Sequence, residues 1–268
     1  MTAEPGAPGH EELVTERRGA VQWVVFNRPQ ALNAITWNMY ERLIEVCAEV
    51  DRDRDVRAMV LTGAGGRAFV AGTDIAQFRS FKTERDAIDY EATGNQVMSV
   101  LESVRVPTIA AIQGACTGSG AVMAACCDIR IGARSARYGI PIARTLGNCL
   151  SMPNYARMAA MLGAPRLKDL IMRARLLNAD EMLAWGVVGE LVADEDALAA
   201  RAQELAEQLA ARAPLTLWAT KEALRRLRER QTPDGDGQDL IVACYLSRDF
   251  REGMEAFLAK RKPEWRGE

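Results

Sequence analysis

Two glycine-marked stretches of this chain could set backbone N–H groups where they do chemistry. The first, GACTGSG at residues 114–120, follows the short apolar run 108–112 and leads into an apolar segment of small residues, 118–127. Pro107 and Gly114 bound the run as a buried strand, and the segment after it is too poor in β-branched residues to prefer strand. It reads as strand, tight turn, buried helix and a second strand. Gly118, Ser119 and Gly120 open that helix, and side chains this small leave its first N–H groups uncovered. Unpaired donors at the positive end of a helix dipole favour a negative or developing negative oxygen, which is how a backbone oxyanion hole is built. Glycines in this pattern would equally serve close packing or a sharp turn, so a second feature has to decide. That feature is VAGTDI at residues 70–75, where Gly72 and Thr73 precede Asp74, an N-cap residue for a short helix. Two strand-to-helix junctions could face one oxygen from two sides.

Apolar patterning supplies the elements that must hold these junctions. Residues 20–26 (AVQWVVF) and 58–62 (AMVLT) read as strands, and the spacing predicts helices over 35–50 and 84–104. Beyond the opening stretch come a short strand at 136–140, an irregular loop at 141–151, and helices at 152–162, 166–174 and 178–185. A strand at 187–192 precedes three helices, 194–211, 215–230 and 240–260, the last two separated by the loop TPDGDGQ. The order is β/α alternation up to about residue 192 and nearly pure helix afterwards, a class of α/β core with a helical appendage. The expected organisation is a disordered tail over 1–12, a core over 13–192 and a helical region over 193–268. Apolar faces on the last helices make packing against the core or a neighbouring subunit, and hence an oligomer, the expectation.

Composition removes several function classes. The net charge is -2, from 34 basic and 36 acidic side chains with no basic block interleaved with aromatics, so nothing points to nucleic acid. No apolar run reaches the length of a membrane span, and MTAEPGAPGHEE lacks the pattern of a secretory signal. Six cysteines, at 47, 116, 126, 127, 149 and 244, show no C-x-x-C spacing, which fits free thiols in a reduced, cytoplasmic compartment. His10, in the tail, is the only histidine, which removes a Ser/His/Asp or Cys/His relay and any multi-histidine metal site.

Six ordered segments then carry a family likeness. They are NRPQALNAI (27–35), VLTGAGGRAFVAGTDI (60–75), PTIAAIQGACTGSG (107–120), CDIRIGARSARYGIP (127–141), DEMLAWGVVGELV (180–192) and SRDFREGMEAFLAKRKPEW (247–265). In order and spacing the chain resembles the crotonase, or enoyl-CoA hydratase/isomerase, family over nearly all of its length after the tail. The resemblance implies a spiral of ββα units with a C-terminal helical region, homotrimers or dimers of trimers, and acyl-CoA thioester substrates, with no cofactor beyond the coenzyme A of the substrate. It assigns the two oxyanion-hole N–H groups to Thr73 and Ser119, whose side chains matter only if they obstruct the pocket. It sets the coenzyme A adenine against the backbone near Ala31, Leu32 and Ala71, with nucleotide contacts from Phe257 and Lys260. Losing one oxyanion donor typically removes about 3 to 4 kcal/mol of transition-state stabilisation.

The chain also departs from the family pattern. The two glutamates that hydratases of the family place beyond the glycine triplet and after the proline of YGIP correspond to Val122 and Ile142 here. Neither carries a proton or holds an attacking water, so a two-carboxylate hydration lacks its catalysts. Cys149 falls near where some family members with other chemistry carry a catalytic aspartate; a thiolate there needs its pKa lowered by a helix N-terminus or by Arg144. A small buried cysteine filling space is the competing reading, and Arg144 is as readily a surface residue. Asp86, Asp89, Tyr90 and Glu91 lie on the helix that borders the acyl pocket in the family, where one could supply a proton and the rest form a solvated face. Three readings stand: an acyl-CoA enzyme working through an enolate with non-standard acid/base residues, an ordinary hydratase with the 141–151 loop misaligned, and a non-catalytic acyl-CoA binder.

Overall fold

A computed structural model describes residues 12–230 and 237–268. His10, the expected tail up to residue 11 and most of the loop TPDGDGQ lie outside the described residues. Strands β1 (Leu13–Arg18), β2 (Val21–Phe26), β3 (Ala58–Gly63), β5 (Thr108–Ile112), β7 (Ile129–Ala133) and β9 (Glu190–Val192) form a sheet in the order β1-β2-β3-β5-β7-β9. β1 pairs antiparallel with β2, and every other pair is parallel. The intervening strands β4 (Ala68–Val70), β6 (Ala115–Thr117) and β8 (Arg137–Gly139) form a second, parallel sheet. Successive strands therefore step from the large sheet to the small one before a helix returns the chain, giving repeated ββα turns of a spiral.

Both faces of the large sheet are covered, which is why its strands read as continuous apolar runs. Met59, Leu61, Ala110 and Ile112 face the core that holds helices α1 (Trp37–Arg52), α2 (Glu84–Ser103) and α3 (Ser119–Cys126). Val60, Ile109, Ala111 and Ile131 face the other way, where α8 (Glu195–Ala210) buries Leu198, Ala202 and Ala206. The remaining helices are α4 (Ile142–Thr145), α5 (Met152–Leu162), α6 (Ala164–Met172), α7 (Ala179–Trp185), α9 (Pro214–Glu229), α10 (Gln238–Tyr245) and α11 (Arg248–Leu258). Among the described residues no helix is long and apolar enough to cross a membrane.

Three sequence expectations are corrected. The turn after β5 contains the three-residue strand β6, and the loop 141–151 contains the helical turn α4. The single helix expected over 240–260 is two helices, α10 and α11, because Ser247 caps the second: its Oγ accepts from the Phe250 N–H at 2.9 Å, and the chain turns there. That break directs Tyr245, at the end of α10, inward among Phe78, Tyr90 and Phe250.

Candidate active site

The two glycine junctions meet. Gly118 has φ +56° and ψ -124°, a conformation that glycine adopts without steric cost, and it starts α3. A Cβ at Gly118 would stand 3.5 Å from the Cα of Gly72, itself at φ +118°. Gly120 is held still closer, since a Cβ there would stand 2.1 Å from the Val70 carbonyl oxygen. Small residues thus let α3 start against the end of β4. Thr117 Oγ1 donates to the Ala71 carbonyl at 2.9 Å and ties the junctions together. On the other side, Ile35 N–H donates to Gly72 O and Asp74 N–H to Ile35 O, both at 2.9 Å. This parallel bridge uses the groups flanking Thr73 and leaves the Thr73 N–H over. Among the described residues, neither the Thr73 nor the Ser119 N–H donates to a protein acceptor.

Both residues line one cavity of about 400 Å³. Ala31, Leu32, Ala71, Cys149 and Phe257 line it as well; Lys260 is exposed beyond the end of α11 and is not among its wall residues. Asn33 fixes the Ala31–Leu32 turn: its fully buried side chain accepts from Arg28 N–H and donates to the Ala64 and Ala68 carbonyls at 3.0 and 2.8 Å. Val122 on α3 and Ile142 on α4 stand in the same wall, 2% and 7% exposed. Aliphatic side chains thus occupy two faces of the cavity, where they exclude water and hold no proton.

Polar groups gather on a third face. Thr73 Oγ1 lies 3.0 Å from Tyr90 Oη, 3.4 Å from Tyr40 Oη and 3.3 Å from Ser119 Oγ. Burial raises the pKa of both tyrosines above the ordinary value, so their hydroxyls stay protonated and able to donate. Glu91, 8% exposed, also lines the cavity. Tyr245 Oη donates to its Oε1 at 2.5 Å, and Asn148 Nδ2 donates to Tyr245 Oη at 3.1 Å. Burial pushes the Glu91 carboxyl up to about 7, outweighing the hydrogen bonds from Tyr245 and Ser151 that favour its charged form. Of the other acidic residues on α2, Asp86 closes a capping box with Thr83 and Asp89 pairs with Arg85 on the surface. Glu91 is thus the member of the α2 set that enters the cavity as an acid, and Tyr90 enters beside it as a hydroxyl.

Cys149 reaches the cavity with the shift opposite to the one a reactive thiolate needs. Its pKa is raised by the hydrogen bond to Cys244 and by burial, while Arg144 is exposed. Its Sγ lies 3.5 Å from the Leu240 carbonyl, an acceptor that also favours the protonated thiol. Tyr40, Asn148 and Tyr245 were not singled out in the sequence. The available signal for Glu91 was its place on the buried stripe of α2 with Ala87, Met98 and Leu101, at spacings of one to several helical turns.

Residues 16–268 match the family model described as enoyl-CoA hydratase/isomerase. A short-chain-enoyl-CoA hydratase from Clostridium acetobutylicum is 33% identical over 254 residues, covering 94% of this chain and 96% of that protein. The crystal structure of an enoyl-CoA hydratase/carnithine racemase from Magnetospirillum magneticum is 31% identical, covers 96% of each chain and superposes with a TM-score of 0.77. A methylmalonyl-CoA decarboxylase in complex with 2-nitronate-propionyl-CoA is 26% identical, with 96% of this chain and 99% of that one covered and a TM-score of 0.87.

Proposed function

The chain belongs to the enoyl-CoA hydratase/isomerase, or crotonase, family, and on that premise we propose that it is an enzyme that turns an acyl-CoA thioester into an enolate held by the Thr73 and Ser119 N–H groups. The observation that supports this reading is the meeting of Gly72 and Gly118, beside which Thr73 and Ser119 line one cavity and, among the described residues, have N–H groups with no protein acceptor. Donors fixed in place before reaction stabilise charge that develops on a carbonyl oxygen, and a cavity walled by Val122 and Ile142 strengthens that effect by excluding water. The nitronate ligand of the decarboxylase relative is a planar anion like an enolate, which supports the same chemistry in this scaffold. Ala31, Leu32 and Ala71 would receive the adenine end of coenzyme A, with Phe257, 49% exposed, at the rim and Lys260 reaching the nucleotide from outside. The reaction needs no cofactor beyond the substrate's own coenzyme A.

Standard hydration is the second reading, favoured by the name of the Clostridium acetobutylicum relative. Val122 and Ile142 argue against it, since neither holds a water or moves a proton. Crotonyl-CoA separates the two: the conjugated enoyl absorbance is expected to persist in the presence of the protein, and its loss at an enzyme-like rate would establish hydration instead. Assembly as a homotrimer or a dimer of trimers belongs to the same proposal; the exposed Leu215, Trp218, Leu224 and Leu227 along α9 support a face covered by another copy. Unpaired cysteines at every described position support a reducing, cytoplasmic setting.

A further inference from the structure

The acidic residues on the cavity wall are Asp74 and Glu91. Asp74 is engaged: its Oδ2 lies 3.1 Å from Arg28 Nη2, and its Oδ1 accepts from the Ala76 N–H at 3.1 Å. Glu91 has no cationic partner among the described residues, and neutral groups fix it: the Tyr245 hydroxyl on a different helix and Ser151. A chain of contacts leads from it to the proposed oxyanion donors. Tyr245 packs on Tyr90 with ring centroids 5.9 Å apart, and Tyr90 Oη meets Thr73 Oγ1 at 3.0 Å. The cavity therefore has N–H donors at one end of that chain and a carboxyl at the other.

We propose that Glu91 is the catalytic acid/base of this cavity, with Tyr245 as its positioning residue, and that it carries a single proton on and off the carbon skeleton of the bound thioester. The inference rests on the enolate reading above. The Glu91 carboxylate takes a proton from C2, the C–H electron pair moves into the C1–C2 bond, and the carbonyl π pair moves onto the oxygen at the Thr73 and Ser119 N–H groups. The carboxylic acid then returns the proton to C2 or, where the acyl group carries a C3–C4 double bond, to C4 with shift of that double bond. Atoms and electrons balance with no water and no oxidant. One carboxyl suffices for such a cycle, whereas adding water across a double bond calls for a base on the water and an acid for the carbon. Tyr245 holds the carboxyl by donating to Oε1, and Asn148 orients the Tyr245 hydroxyl by donating to it.

The titratable groups that face Glu91 are Tyr40, Tyr90 and Tyr245, with Tyr155 on α5 and the paired thiols of Cys149 and Cys244. Burial raises the four tyrosines and Cys149 is also raised, while the hydrogen bond with Cys149 lowers Cys244 to about 7, so Glu91 is the carboxyl and Cys244 the thiol that titrate there near neutrality. The experiment is exchange of the C2 hydrogens of butanoyl-CoA in D2O, followed by proton NMR for the full-length protein, with binding of the same thioester measured in parallel. The wild type is expected to exchange, with a rate that rises with pH through a midpoint near 7 as the carboxylate forms. Glu91→Gln is expected to lose at least about a hundredfold of that rate with binding retained. Tyr245→Phe is expected to lose less and to move the midpoint. Exchange by Glu91→Gln close to the wild-type rate overturns the proposal, as does a bound thioester that the wild type never exchanges. Should Glu91→Gln fail to fold, the profiles of the wild type and of Cys244→Ala decide: a midpoint near 7 kept in Cys244→Ala supports the assignment, and a rate independent of pH, or a midpoint lost with the Cys244 thiol, overturns it. Failure of the parent reading is distinguishable with acetoacetyl-CoA: bound ligand that shows no enolate absorbance on the wild type sinks the enolate reading itself, whereas enolate absorbance together with wild-type exchange by Glu91→Gln sinks only the assignment of Glu91.

Discussion

Gly118 lies against Gly72: a Cβ on the first would stand 3.5 Å from the Cα of the second, so the two junctions meet backbone to backbone. Gly118 holds this approach at φ +56° and ψ -124°, outside the regions open to residues with a Cβ. Gly118→Ala is expected to destabilise the fold by about 1 to 3 kcal/mol and to rotate the start of α3, moving the Ser119 N–H off the cavity. Urea midpoints and acyl-CoA affinity check it. Unchanged stability together with unchanged turnover would show that the junction tolerates a side chain.

Glu91 makes stability depend on pH in a direction opposite to most carboxylates. Its carboxyl rises from the ordinary 4.5 to about 7 in the folded chain, so between those values the folded state binds more protons than the unfolded one. The stabilisation is complete below 4.5 and is lost as pH climbs through about 7. The loss amounts to at most about 3 kcal/mol. Glu91→Gln is expected to flatten that part of the profile. Denaturant midpoints of both proteins at pH 5 and pH 8 check it, and parallel profiles would count against a buried, uncompensated carboxyl.

Tyr40 and Tyr90 divide the cavity from an outer groove of about 340 Å³ that includes Trp37, Ile44 and Val97. Tyr90 also packs edge-on against Trp37 and Phe78, at 5.5 and 4.9 Å between centroids. Tyr90→Ala is expected to join the two spaces, costing about 3 kcal/mol of stability and shifting the affinity ratio of octanoyl-CoA to acetyl-CoA upward by about tenfold. An unchanged ratio would mean that the acyl chain runs elsewhere.

The thiol pair gives a further contrast. Cys149 is raised and Cys244 is lowered, because the hydrogen bond between them holds the proton on Cys149 and stabilises the charged form of Cys244, and burial further opposes charge on Cys149. Iodoacetamide is expected to modify Cys244 first, and Cys149→Ala to slow that modification. The same variant is expected to keep C2 exchange within about threefold of wild type. A loss of about a hundredfold would return the thiol to the chemistry.

Much of this was legible because long patterns average over many residues. Strands β2, β3 and β5 are apolar runs bounded by turn residues, and the glycines at 72 and 118 marked both junctions. The strand β6 is three residues long, too short to establish a period, and pairs with partners distant in sequence. Glu91 was legible only as one of four polar residues on α2, since its burial depends on α10 folding over it. Tyr245 sat inside what read as one continuous helix, and a serine cap at 247 broke it. Local pattern set the backbone donors, which need little more than glycine; the acid depends on tertiary packing.

The central claim is that Thr73 and Ser119 hold an enolate oxygen. Acetoacetyl-CoA tests it most directly, because its enolate absorbs where the neutral form does not. Titrating it with the protein at a pH where the free ligand is mostly neutral is expected to produce the enolate absorbance in proportion to occupancy. Tight binding with no enolate absorbance would contradict the account.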